Sequence, residues 1–479
     1  MRDSLRKRRL ESYTDSMNTH LRTVCIAVAV FAWLTDSAST SAADKDLREQ
    51  ATRLAKPFID ADYAQAMSIG LIKGDDRVIV HLGRVRGGDD AAPDDATLYE
   101  IGSVSKTFTA LLLADEVTRG NLSLDTPLAN LLPEDVTVPA GKERAITLAD
   151  LATHTSGLVR MPTNFKPGDK LDPYADYTLD QLYEFISGTK LHSEPGKLYA
   201  YSNVGTTILG HALALHAKKD FGTLLRERIL KPLKMNDTAT ALSEDQQKRF
   251  AEAYADGRAV KAWNLNVFDP AGGIRSNVVD MMHYVEAQLG KRQSSLDKAI
   301  ELSHQHLRDI PVGGIGLGWH IARDKATRWH NGQTGGFHAY VGFHRKLDVG
   351  VIVLASSDNH QIDRLGEQLV RMLAGRDEKP IEFPKVVKVD RKVLEKYVGT
   401  FAVLPTFQLK IELAGDRLRV TPTGQATYSI YPESETRFNF RVTKATIVFE
   451  VADDGSVSKL MLLQNGLELP AVRLKVDGK

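Results

Sequence analysis

The sequence has 479 residues, enough for two or three domains, and its 42% apolar content excludes an extensively disordered chain. Lys and Arg number 62 against 61 Asp and Glu, so charge gives no case for a nucleic-acid partner. A single cysteine, Cys25, excludes a disulfide-stapled scaffold, and a chain this long buries a sufficient core without one.

At the N-terminus, Arg2, Arg6, Lys7, Arg8, Arg9 and Arg22 precede the apolar run Val24–Leu34, and small residues follow at Ser39–Ala43. The pattern reads as a signal peptide over residues 1–43, cleaved after Ala43. The basic segment is long, and Met17 offers an alternative start. An uncleaved anchor or a buried apolar segment is the competing reading, but the run is too short to span a bilayer. Small residues do not precede Cys25, so no lipoprotein site is expected. Export to a periplasm or beyond follows, with no transmembrane span after signal removal.

Residues 44–376 alternate helical and strand patterns and form the first predicted domain. The stretch "LYEIGSVSKTFTALLLADEVTRGN" places Val104, Phe108, Leu111, Leu112 and Val117 at a helical period, and Gly120 stops it. Residues three apart on a helix share one face, with roughly 5–6 Å between Cβ atoms. The Lys106 amine is therefore expected to reach the Ser103 hydroxyl. Ser103 falls at the helix N-terminus, where the dipole favours anions and disfavours an ammonium, helping to keep Lys106 neutral. The structural alternative for Ser103 is an N-cap.

Farther on, Thr147 and Asp150 form a capping box, and His154, just past the short helix, is expected to fix the following loop. The turn Pro195-Gly196 leads to Tyr201-Ser202-Asn203 and then to a helix with Ile208, Leu209, Ala212 and Leu213 inward. Tyr201 and Asn203 are two apart in an extended segment, so both side chains can face one cleft. A phenol beside an ammonium has a lowered pKa, which suits Tyr201 as a general base. Asn203 has donors and an acceptor for a substrate carbonyl and for Lys106. The alternatives are a buried aromatic for Tyr201, a role that suits Tyr199 better, and a helix cap for Asn203. Ser276 reads as the N-cap of a helix bearing Met281, Met282, Val285 and Leu289. His304 and His306 lack a third metal ligand at useful spacing, and no zinc signature, Walker loop or G-x-S-x-G elbow occurs. Neither metal nor cofactor is expected.

Residues Arg328–Asn359 read as a strand ending near Gln333, a strand at Ala339–Arg345, a turn, and a strand at Val349–Ser356. Gly332 is expected to let a substrate backbone approach, and the amide of Gln333 to join that of Ser103 in an oxyanion hole. His330 would face the cleft; its alternative is a histidine satisfied by backbone.

The prolines and charges of residues 377–389 suggest a linker. Residues 390–479 then alternate apolar and polar side chains in "FQLKIEL", "RLRVTPT", "TYSIYPE", "RFNFRV", "TIVFEV" and "KLMLLQN", an antiparallel barrel or sandwich. A second "GSVSK", Gly455–Lys459, lies here. Asp453-Asp454-Gly455 makes a turn and the rest runs as a strand, so Ser456 and Lys459 point to opposite faces.

Taken in order, Ser103–Lys106 "SVSK", Tyr201–Asn203 "YSN" and His330–Gly332 "HNG" resemble the serine hydrolases related to class C β-lactamases, D,D-carboxypeptidases and esterases of that fold. "HTSGL" at His154–Leu158, "PAGGIRS" at Pro270–Ser276, "GLGW" at Gly316–Trp319 and "TGGF" at Thr334–Phe337 extend the likeness. The resemblance implies an α+β fold: an antiparallel sheet flanked by helices, an all-α region, and a small barrel-like C-terminal domain. It implies acyl transfer with Ser103 as nucleophile, Lys106 and Tyr201 moving the proton, and Asn203, His330 and Gly332 meeting substrate. Lysine usually stands where His330 does in the β-lactamases, so weak β-lactamase activity is expected beside ester, amide or D-amino-acid peptide hydrolysis. The partner is then a small molecule or cell-wall peptide. A non-catalytic penicillin-binding sensor of such peptides is the alternative.

Overall fold

The computed structural model describes residues 42–474, apart from residues 89, 426 and 442. Residues 1–41, on which the export-signal reading rests, lie outside the described residues. Among the described residues, no helix is long and apolar enough to cross a membrane.

After helix α1 (Ala42–Asp60) comes an eight-stranded sheet. Its strands are β1 (Ala66–Lys73), β2 (Asp76–Gly83), β3 (Arg308–Ile310), β4 (Gly313–Ile315), β5 (His320–Ile321), β6 (Arg328–Gln333), β7 (His338–His344) and β8 (Val349–Ser356). They are ordered β2-β1-β8-β7-β6-β5-β4-β3, with every pairing antiparallel. β8, "VGVIVLAS", is buried along its whole length, as expected of a central strand covered on both faces. Strand alternation assigns the covers. Gly350 meets Val285 of α5 (Val278–Leu289), whereas Tyr340, paired with Val353, meets Gly366 of α6 (Gln361–Leu373). Positions 350 and 353 differ by an odd number, so the two helices lie on opposite faces.

The helical region centres on α2 (Ser105–Thr118), buried from Ser105 to Glu116. A helix buried all round belongs inside a domain, not at its surface. Its polar residues are satisfied: Thr107 Oγ1 donates to Val104 O at 2.8 Å and Thr109 Oγ1 to Pro270 O at 2.7 Å. The Thr147–Asp150 capping box starts α3 (Leu148–Ala152). Two cap readings, the expected one at Ser276 and the alternative one at Asn203, move by one residue. Ser202, not Asn203, caps α4 (Asn203–His216), accepting from the Gly205 amide. Asn277, not Ser276, caps α5, because the Ser276 hydroxyl is engaged with Thr238 at 2.8 Å.

The C-terminal region is a closed eight-stranded antiparallel barrel in sequence order, from Gly399–Leu404 to Leu467–Arg473. Six of its strands follow the alternation in the sequence. The first and last carry no such alternation, yet they close the barrel through Phe401↔Arg473 and Ala402↔Val472 and so remove both open edges. Phe401, Leu418, Ile430, Phe438, Ile447 and Leu460 fill its interior. Helix α7 (Arg391–Tyr397) adds Tyr397, stacked on Phe449 with centroids 3.9 Å apart.

Residues 377–389 form neither helix nor strand, but they are tied down. Phe383 stacks on Tyr63 at 4.0 Å and meets Phe58 edge-on at 4.9 Å, and Gln368 Nε2 donates to Lys379 O at 2.7 Å. The barrel grips the turn at Asp256: Tyr431 donates its hydroxyl to Asp256 Oδ1 at 2.8 Å, and Arg417 donates to Asp256 O at 2.9 Å. Arg441 lies 3.5 Å over the Tyr431 ring.

Candidate active site

Ser103 stands where the sheet meets the helical region. Tyr99–Glu100 pairs with Arg275–Ser276, and the Ile101 amide donates to Ile274 O at 3.0 Å. The chain then turns through a 3-10 segment, Gly102–Val104, before α2 begins at Ser105. Ser103 is therefore not an N-cap. In a 3-10 turn residues three apart eclipse, so Lys106 still lies over Ser103. Lys106 Nζ is 3.0 Å from Ser103 Oγ, and it donates to Ala271 O at 2.6 Å.

Two glycines allow this turn to touch strand β6. Gly102 has φ +50°, and a Cβ there would fall 2.6 Å from the Gln333 amide nitrogen. A Cβ on Gly332 would fall 1.9 Å from Ile101 O and 2.7 Å from the Ser103 nitrogen. Gly332 thus makes room for the turn that carries Ser103 and not, as the sequence suggests, for a substrate backbone. The same contact brings the amides of Ser103 and Gln333 to one place. The next amide, Thr334, donates across to Phe337 O at 2.9 Å. Consecutive amides alternate sides, so that of Gln333 points away from β7, toward Ser103.

Tyr201 is delivered by the loop before α4. His154, at φ +58°, holds this loop: its carbonyl accepts from the Ala200 amide at 2.8 Å and its Nδ1 from the Ser202 amide at 3.2 Å. The Tyr201 ring lies with Lys106 Nζ 5.0 Å from its centroid, and Ser103 is a hydrogen-bond partner of its phenol. Ser103 and Lys106 thus meet Tyr201, which lies more than ninety positions farther along the sequence, and Ser103 and Tyr201 keep partial exposure.

Three expectations change. Asn203 does not bond Lys106: its amide nitrogen donates to Met161 Sδ at 3.4 Å, and the carbonyl of Ala271 takes that place on the lysine. His330 does not face the cleft. It is 1% exposed, with Nδ1 donating to Asn331 O at 2.6 Å and its ring stacked on His320 at 5.0 Å. Tyr201 is not acidified. Burial holds its phenol above the ordinary value, against the smaller opposing effects of the Ser103 hydrogen bond and Arg160.

Burial is also the first cause at Lys106, whose pKa lies well below the usual lysine value, with Arg160 as second cause. Burial therefore makes the Lys106 ammonium easier to deprotonate than a solvated lysine. Burial pushes His154 and His330 below their ordinary range and His320 to about 4. Around Tyr201 these groups are neutral.

Sequence reasoning missed Ala271, Met161, His320 and Arg160. A backbone carbonyl has no side-chain signature, and "PAGGIRS" marked only its neighbourhood. His320 follows "GLGW" directly, and its Nε2 lies 3.3 Å from the Tyr199 hydroxyl. Arg160 lies two residues past "HTSGL", with Cζ 5.0 Å over the Tyr201 ring.

Comparison with known proteins agrees with this architecture. The Beta-lactamase family matches residues 51–374, and residues 384–474 match a domain of unknown function, DUF3471. The D-alanyl-D-alanine-carboxypeptidase/endopeptidase AmpH of Escherichia coli is 30% identical over 312 residues, 61% of this chain and 80% of that protein. A Beta-lactamase of Pseudomonas fluorescens is 26% identical, over 67% of this chain and 96% of that protein. Among solved structures, the Beta-lactamase/D-alanine carboxypeptidase from Yersinia pestis superposes with TM-score 0.63 at 24% identity, covering 70% of this chain and all (100%) of that one. The D-alanine carboxypeptidase AmpC from Burkholderia cenocepacia gives TM-score 0.60 at 25% identity, over 69% and 99%. The chain belongs to the beta-lactamase family of serine hydrolases and carries a closed barrel behind its hydrolase fold.

Proposed function

We propose that this protein is an exported hydrolase that cleaves ester, amide or D-amino-acid peptide bonds through an acyl-enzyme on Ser103. One observation carries the reading: a buried lysine, its pKa held well below the usual lysine value by burial, lies 3.0 Å from Ser103 Oγ. Ser103 Oγ attacks the carbonyl carbon and its proton passes to Lys106 Nζ. The Ser103 and Gln333 amides hold the tetrahedral oxygen, and losing one such donor costs about 3–4 kcal/mol in comparable sites. Tyr201, neutral, relays the proton from Lys106 to the departing oxygen or nitrogen as that bond breaks. Water then repeats the sequence in reverse: its proton goes through Tyr201 and Lys106, and Ser103 regains one as the acid leaves.

The name of the AmpH relative supports a peptide carrying D-amino acids as substrate class. The export reading is supported by the Val24–Leu34 run and its flanks. Weak β-lactamase activity is supported by His330, buried and held neutral where a lysine is usual. A non-catalytic peptide sensor is disfavoured, since binding alone gives no reason to bury an amine against Ser103.

The test is acylation by a fluorophosphonate probe, followed by mass spectrometry, with hydrolysis of a nitrophenyl ester in parallel. Label on Ser103 and its loss in Ser103→Ala, together with turnover, are expected. Undiminished turnover in Ser103→Ala would rule the scheme out.

A further inference from the structure

Charge is almost balanced over the chain, but positive charge gathers at one place in the hydrolase region. Strand β6 ends at Gln333, beside Ser103, and begins at Arg328, about 17 Å of strand away. At the Arg328 end a cavity of about 410 Å³ opens. Lys325, Arg328, Arg345 and Lys346 line it with a single carboxylate, Glu301, which is already paired with Arg345. Asp324, next along the chain, is committed to its own turn. It accepts from the Ala326 and Thr327 amides at 2.9 and 2.8 Å and from Thr327 Oγ1 at 2.6 Å.

Arg328 is held by main-chain carbonyls. Its Nη1 donates to Lys325 O and Ala326 O at 3.0 and 2.7 Å, and its Nη2 to His304 O at 2.9 Å. Its Nε is buried without a partner, and no carboxylate pairs with the guanidinium among the described residues. A half-buried charge without a counter-ion is costly. Burial pushes its pKa below the ordinary arginine value; the opposing pull of Asp324 does not restore it, and Arg345 adds to the depression. Lys325 and Lys346 are exposed and make no ion pair among the described residues. His344 accepts the Leu347 amide on Nδ1 at 3.1 Å, which leaves its Nε2 as a further donor.

We propose that this cavity binds the phosphate group of a small organic ester. The donor set selects phosphate over carboxylate. Both terminal nitrogens of Arg328 are taken by carbonyls, so its fork cannot grip a planar carboxylate. What remains is a group of point donors from separate segments: Lys325, Lys346 and Arg328 Nε. Such a set suits a tetrahedral anion with three free oxygens and close to two charges. The volume falls in the range of small-ligand pockets, which leaves room for the organic part of the ester. None of these residues takes part in the proposed acyl transfer, so the site stands or falls independently of the hydrolase reading.

Calorimetric titration of the protein with glycerol 3-phosphate, glycerate and glycerol tests this. Glycerol 3-phosphate should bind with Kd on the order of 1 mM, glycerate about tenfold more weakly, and glycerol without measurable heat. Lys325→Gln and Lys346→Gln should each weaken binding about threefold, and together about tenfold. Both lysines are exposed, so these variants should keep the wild-type circular dichroism. Glu301→Gln should tighten binding about threefold, because it removes the carboxylate and frees Arg345. Added NaCl at about 0.5 M should weaken it, because exposed charges are screened.

Vesicles of phosphatidylglycerol, with phosphatidylcholine as the blank, distinguish a free ester from the same group in a lipid headgroup. Glycerol 3-phosphate bound and vesicles ignored assign the free ester. Vesicle binding that is lost in the double lysine variant assigns the headgroup. No binding of either, equal affinity for glycerate, or binding that survives both lysine changes overturns the proposal.

Discussion

The same five letters, "GSVSK", occur in both halves of this molecule and do different things. Each begins on a glycine in the left-handed region, at φ +50° for Gly102 and +77° for Gly455. At the first, the chain tightens into a 3-10 turn and then a helix, and Lys106 comes to rest 3.0 Å from Ser103. At the second, the chain straightens into the strand Val457–Gln464; a register shift opposite Glu450–Val451 interrupts the expected alternation there, and Ser456, just before the strand, and Lys459 are both left exposed on the barrel. A spacing of three is therefore no pair by itself; the backbone period converts it into one. The surroundings differ as well. Lys106 is buried and kept below its usual pKa, whereas Lys459 is exposed on the barrel.

The largest break in that comparison comes from the lysines. Lys106→Ala should lower kcat about 10²–10⁴-fold, as loss of a general base does, while Lys459→Ala should leave ester turnover at the wild-type rate. Equal losses would mean the first copy is not the reactive one. The glycines follow. Gly102→Ala puts a Cβ 2.6 Å from the Gln333 amide, so activity should fall and stability drop by about 1–3 kcal/mol. At Gly455 the nearest atom to a new Cβ is Lys396 Nζ at 3.4 Å, so Gly455→Ala should cost only about 1 kcal/mol, from its φ alone, with no loss of activity. Urea unfolding and ester assays on both variants read this directly.

A smaller effect tests the join between the two regions. Tyr431→Phe removes the hydroxyl that Asp256 accepts at 2.8 Å and should lower the urea midpoint by the equivalent of about 1–2 kcal/mol. No change would show that the barrel is not held by that turn. The smallest effect is in pH dependence. The proposed mechanism needs the free amine of Lys106, whose pKa is depressed first by burial and then by Arg160. Rate should persist as pH falls toward that lowered value and disappear below it. Arg160→Gln removes the second cause, raises the lysine pKa and should move the acid limb of kcat/KM to higher pH. A limb unmoved, or moved to lower pH, would contradict this electrostatic reading.

Much of this was legible along the chain. Strand Val349–Ser356 was read to the residue, because an unbroken apolar run between turn signals has few other solutions. Six barrel strands showed their alternation, while the first and last did not: Gly399–Leu404 and Leu467–Arg473 are held by ring closure more than by a buried face of their own. The helix caps slipped by one residue because Ser202, Asn203, Ser276 and Asn277 are all competent caps, and neighbouring side chains decided between them.

The sequence by itself determined the local facts: a helical turn that stacks an amine over a hydroxyl, strands that alternate, glycines where φ must be positive. These depend on steric rules that act within a few residues. Only the tertiary structure decided that Ala271 and not Asn203 holds Lys106, that His330 is sealed under the site, and that burial lowers the lysine's pKa and raises the phenol's. Desolvation depends on everything packed around a group, and partners brought from 48 to 165 positions away leave no periodic trace in the chain.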